Sequence, residues 1–73
     1  MSTLTFKEHM DSRKDMYSNC KKVTIGSDFA VFEFEDLEDV EKALRFSESC
    51  NNLYHYTFDS NLVDKIVCFN SVK

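Results

Sequence analysis

The segment Phe29-Ala30-Val31-Phe32-Glu33-Phe34-Glu35 restricts the fold of this chain more than any other stretch. Successive side chains of a strand point to opposite faces. Ala30, Phe32 and Phe34 therefore share one face, and Phe29, Val31, Glu33 and Glu35 share the other. The first set is uniformly apolar and must be covered by another layer. The second is mixed and suits water or a binding partner. A strand buried on one side only belongs to an antiparallel sheet with helices packed against its apolar face, an α+β arrangement.

The flanking sequence supplies those other elements. Thr5-Phe6-Lys7-Glu8 fits a capping box, in which the threonine hydroxyl and the glutamate carboxylate satisfy the free backbone donors of a helix start. Two readings of this opening segment stand. In the first, a helix runs over about 6–19, with Phe6, Met10, Tyr17 and Cys20 near one stripe, Met16 beside them and Arg13 breaking the stripe. In the second, Leu4 and Phe6 alternate in a short first strand. Residues 22–25 form a β-type run, and Gly26-Ser27-Asp28 is the clear turn signal. After the aromatic strand, Asp36 has the chemistry of an N-cap. Leu37, Val40, Ala43 and Leu44 then repeat at helical spacing. Early acids (Glu38, Asp39, Glu41) and late bases (Lys42, Arg45) complement the helix dipole. The spacing predicts a helix over 37–47, ended by Ser49-Cys50-Asn51-Asn52. Residues 53–59 alternate again, with Tyr54, Tyr56 and Phe58 on one face, Ser60-Asn61 opens a loop, and 65–69 is a last strand paired with it as an antiparallel hairpin. The expected order is α-β-β-α-β-β, with about four strands and two helices in one domain spanning residues 1–73.

Size limits what such a domain can be. At 73 residues, a chain buries only about 60% of the surface its unfolded form exposes. Disulfides or a metal often reinforce so small a core. Here Cys20, Cys50 and Cys68 are odd in number and widely spaced, without a CxxC pair, so a disulfide framework and a structural zinc site are not expected. Buried thiols in a reducing cytoplasm are the expectation. No apolar stretch approaches the roughly 18 residues that span a bilayer, and no secretory signal is read at the start. Seven phenylalanines and three tyrosines supply a core rather than a disordered tail.

Catalysis needs convergent groups, and the usual sets are missing. No local sequence activates a cysteine beside His9 or His55. Glu33 and Glu35, two apart on a strand, read as a solvated edge. Glu8, His9 and Asp11 do not converge on a helix as metal ligands. A single glycine builds neither a P-loop nor a dinucleotide fingerprint. The sequence thus predicts no catalytic residue, no metal site and no cofactor.

Ser27-Asp28-Phe29-Ala30-Val31-Phe32-Glu33-Phe34 resembles the RNP1 strand of RNA-recognition motifs, with Phe29, Ala30 and Phe34 on the pattern, and the passage on to Leu44 is similar to the strand-to-helix passage of that family. That resemblance implies a layered fold and, as an alternative function, nucleic-acid binding. The departures fall on the positions that meet RNA. Ser27 stands for the basic residue, Asp28 for the glycine and Val31 for the second stacking aromatic. Glu33 and Glu35 on the same face repel phosphates, so direct nucleic-acid binding is not expected.

Net charge is −4 and unevenly placed. Residues 1–22 carry two more bases than acids, and residues 23–73 carry six more acids than bases. This predicts a protein partner with a basic surface, although the acids also serve solubility. Two patches are candidates for that partner. One joins Phe29 and Val31 to Glu33, Glu35 and His55. The other joins Tyr17 to Arg13 and Lys14 on the first helix. Aromatic anchors with a charged rim are the usual composition of an interface. The plain alternatives are a partly covered sheet face and an ordinary amphipathic helix. In length, acidic balance and lack of active-site signatures, the chain is similar to small bacteriophage proteins that redirect host enzymes, above all host RNA polymerase. That similarity implies steric or allosteric regulation of transcription, inhibition included, in the host cytoplasm.

Overall fold

A computed structural model describes residues 5–17, 20–54 and 56–72, with backbone alone for 50–54. The elements are α1 (Phe6–Met16), β1 (Cys20–Ile25), β2 (Phe29–Phe34), α2 (Leu37–Tyr54), β3 (Tyr56–Asn61) and β4 (Ile66–Ser71). This is the α+β order anticipated. The four strands form one antiparallel sheet in the order β1-β2-β4-β3. β2 and β3 both pair antiparallel with β4, so they run parallel to each other. With α2 connecting them, they form a split β-α-β unit.

α1 begins as its capping box dictates. The Thr5 hydroxyl accepts from the Glu8 amide at 3.2 Å, and the Glu8 carboxylate accepts from the Thr5 amide at 2.9 Å. Phe6 is helical, which removes the reading of a first strand at that residue; Leu4 lies outside the described residues. The helix ends at Met16 rather than near residue 19, because Tyr17 leaves helical geometry. There its ring packs edge-on against Phe32 and Phe34.

Ala30, Phe32, Phe34, Val67, Phe69 and Tyr56 are buried together with Met10 of α1 and Val40 and Ala43 of α2. Both helices therefore cover one face of the sheet. Leu37 is a correction: it lies exposed at the start of α2, off the buried stripe. α2 also runs to Tyr54, well past residue 47. Serines in this stretch do not stop it, because their hydroxyls bond back to the helix. Ser47 donates to the Ala43 carbonyl at 2.7 Å and Ser49 to the Phe46 carbonyl at 2.9 Å. No proline or glycine follows to break the ladder. As a consequence the third strand starts at Tyr56 instead of residue 53 and extends to Asn61, into the expected loop.

Gly26 owes its place to a close approach rather than an unusual dihedral. The Phe29 ring lies across it, and a Cβ there would collide with that ring.

Candidate protein interface

Strand pairing lays out the uncovered face of the sheet. One row across it is Thr24–Val31–Cys68–Asp59, and the next is Lys22–Glu33–Ile66–Asn61. Phe29, Asn70 and Thr57 form a third. Val31, Ile66 and Cys68 are half-buried at the centre of this grid, and Glu33 is half-buried beside them. Thr24, Lys22, Asp59, Asn61, Asn70 and Thr57 are exposed around them. Phe29 stands at one corner, 41% exposed. Among the described residues it is the sole aromatic of this face. The face therefore has an apolar centre and a polar rim carrying both signs of charge.

The structure brings together three of the five residues expected in the first patch: Phe29, Val31 and Glu33. Glu35 is exposed but falls beyond β2, in the bend leading to α2, so it borders the face rather than sharing it. His55 lies outside the described residues. Ile66 and Cys68, which the sequence reading left unassigned, complete the centre from β4. Their signal was the alternation with buried Val67 and Phe69.

The second patch does not exist as a surface. Lys14 is exposed, but Arg13 is completely buried and Tyr17 is half-buried within the aromatic core. The Arg13 guanidinium donates to the Tyr17 hydroxyl from Nε at 3.2 Å and from Nη2 at 2.6 Å. It also donates to the Tyr56 hydroxyl at 3.1 Å, the Ala43 carbonyl at 3.1 Å and the Ser47 hydroxyl at 2.8 Å. Its central carbon lies 4.6 Å from the Phe69 ring centre and 4.9 Å from that of Phe46. Arg13 thus ties α1 to α2, β3 and β4 from inside. It breaks the apolar stripe of α1 in composition only, because it occupies an inward position there.

One turn before Arg13, buried His9 stacks on Tyr56 with ring centres 5.7 Å apart. Burial, and then the Arg13 charge, push its pKa down to about 4. The Cys20 thiol is pushed up by burial. It donates to the Glu33 carbonyl at 3.2 Å and the Lys22 carbonyl at 3.4 Å. A thiol raised in this way is not an activated nucleophile. Among the described residues no group of three His, Cys, Asp or Glu side chains converges to hold a metal ion. No helix among them is long and apolar enough to cross a membrane.

No protein-family model, curated protein or solved structure matches the chain.

Proposed function

We propose that this domain is a non-catalytic protein-binding regulator that docks through the uncovered face of its sheet onto a partner with a basic surface. The observation that carries this reading is the composition of the face: Val31, Ile66 and Cys68 at its centre, ringed by Glu33, Asp59, Lys22 and neutral polar side chains. Apolar centres with polar rims are how protein interfaces are built. The surplus of acids in residues 23–73 selects basic partners by complementarity. The whole-chain likeness to phage regulators makes bacterial RNA polymerase the first partner to measure, with inhibition or modulation of transcription as the outcome.

Purified RNA polymerase holoenzyme, titrated with the labelled domain, tests this. Saturable binding is expected, and Val31→Glu, which places a charge at the centre of the face, should weaken it about ten-fold or more, near 1.4 kcal/mol. Unchanged affinity in that variant would remove the face from the interface.

The position of Phe29 on an open sheet also supports a second reading, RNA binding. Single aromatic platforms do stack bases, but motif domains of this kind use two or three. Submicromolar binding of an oligouridine at low salt, lost in Phe29→Ala, would favour RNA over protein.

A further inference from the structure

We infer that the turn joining β3 to β4 is an anchor whose Leu62 and Val63 side chains insert into an apolar pocket with a basic rim on the protein partner. This rests on the protein-binding reading proposed above and names how that binding is fastened.

Turn positions usually hold glycine, asparagine, aspartate or serine. Here the two residues after Asn61 are a leucine 53% exposed and a valine 87% exposed. Neither belongs to the buried cluster or the partly buried residues packed on it, so the fold does not account for their apolar chemistry. The turn that carries them is pinned on both sides. The Asp64 amide donates to the Asn61 side-chain oxygen at 3.1 Å, and the Asn61 side-chain amide donates to the Asp64 carboxylate at 3.1 Å. Lys65 closes the turn in left-handed geometry, with φ 58°. Its carbonyl accepts from the Phe34 amide at 2.9 Å, which fixes the turn against the end of β2. A pre-ordered apolar tip loses little freedom on insertion, and such rigid side chains make effective anchors.

The surroundings decide the kind of pocket. The Lys65–Phe34 bond sets the tip at the end of the sheet where the chain continues as Glu35, Asp36, Leu37 and Glu38, all exposed. Asp64 adds a further exposed carboxylate. Lys65 in the turn and Lys22 in the same row as Asn61 offset part of this charge. The four acids Glu35, Asp36, Glu38 and Asp64 outnumber them, and an apolar tip with that surplus matches a hydrophobic pocket with Lys or Arg at its rim. The tip is also continuous with the uncovered face, because Asn61 pairs with Ile66 in its outer row.

The probe is the same RNA polymerase holoenzyme, titrated with the full-length chain. The doubly substituted L62S/V63S chain should keep the wild-type melting temperature and bind about ten-fold or more weakly, since both side chains are exposed. Asn61→Ala, which unpins the turn but leaves both apolar groups in place, should weaken binding several-fold. If wild type binds and Val31→Glu abolishes binding while L62S/V63S binds like wild type, the anchor is overturned and the interface on the sheet stands. If wild type does not bind the polymerase, the protein-binding reading and the anchor fail together. Self-association of wild type that L62S/V63S abolishes would assign the tip to a second copy of this chain and overturn the proposed partner.

Discussion

Arg13 shows how far a single residue can organise so small a domain. A guanidinium stays protonated in a protein interior, so Arg13 carries its charge into the core. None of its hydrogen-bond acceptors among the described residues is a carboxylate. Compensation comes from neutral oxygens and from the faces of Phe69, Phe46 and Tyr17, an arrangement that favours arginine because its charge is spread over a plane. Arg13→Ala removes the cation and its volume while leaving Tyr56 and Ser47 hydroxyls in a dry site. The expected loss, from the cavity and the unpaired hydroxyls, is about 2–5 kcal/mol, comparable to the ~3–5 kcal/mol that a core of this size supplies in total. Urea titrations should therefore rank stability as wild type, then Arg13→Met, then Arg13→Lys, then Arg13→Ala. Methionine fills the space without an unpaired charge, whereas lysine brings a compact ammonium that cannot span the same acceptors. A lysine variant as stable as wild type would refute the account. The sequence concealed this role because the acceptors Ala43, Ser47 and Tyr56 stand 30, 34 and 43 positions away. Local periodicity assigns an arginine to water and has no access to such partners.

Among the elements, β2 and the start of α1 were legible because their signals are local, strict alternation over six residues and a capping box within four, whereas the end of α1 at Met16 was not. α2 and β3 were misjudged at their shared boundary for a physical reason. Ser49, Cys50, Asn51 and Asn52 have modest helix propensity, but propensity is a weak prior where serine hydroxyls can bond back to the helix and the preceding turns are held by buried Val40 and Ala43. The same local view missed that α1 buries a histidine against Tyr56. His9 has a folded pKa of about 4 against an ordinary value of 6.5. Protonation is therefore easier in the unfolded chain. Stability from this site is complete above about pH 6.5, falls as pH drops from 6.5 toward 4, and changes no further once both states are protonated. Melting temperatures measured across that window should decline for wild type and decline less for His9→Gln. His55→Gln serves as the control for the second histidine. An equal decline in wild type and His9→Gln would show that His9 does not govern the docking of α1.

At the scale of the whole molecule, the candidate face was half legible. Phe29, Val31 and Glu33 follow from the period of one strand. Ile66 and Cys68 join them only because β4 inserts between β2 and β3, a long-range pairing that no local pattern encodes. Charge follows the same logic. Net charge is −4 for the chain, but Arg13 is withdrawn into the core, so the surface is more acidic than composition suggests. Lys14, Lys21 and Lys22 remain exposed on α1 and β1, and the exposed acids Glu35, Asp36, Glu38, Glu41 and Asp64 follow β2 and the β3–β4 turn. Lys22 pairs with Glu33, so bases and acids meet at the same end of the sheet, and it is the overall excess of exposed acids that draws a basic partner in. Steering acts during approach and is screened once the Debye length falls below about 10 Å, near 0.1 M salt. The association rate with RNA polymerase should therefore fall about ten-fold between low and moderately high ionic strength, while the dissociation rate, set by the buried apolar groups, changes little. Glu35→Gln combined with Asp36→Asn should flatten that salt dependence without altering the dissociation rate. An association rate that is flat or rises with salt in the wild-type chain would mean that the partner is not basic, and that apolar contact alone determines docking.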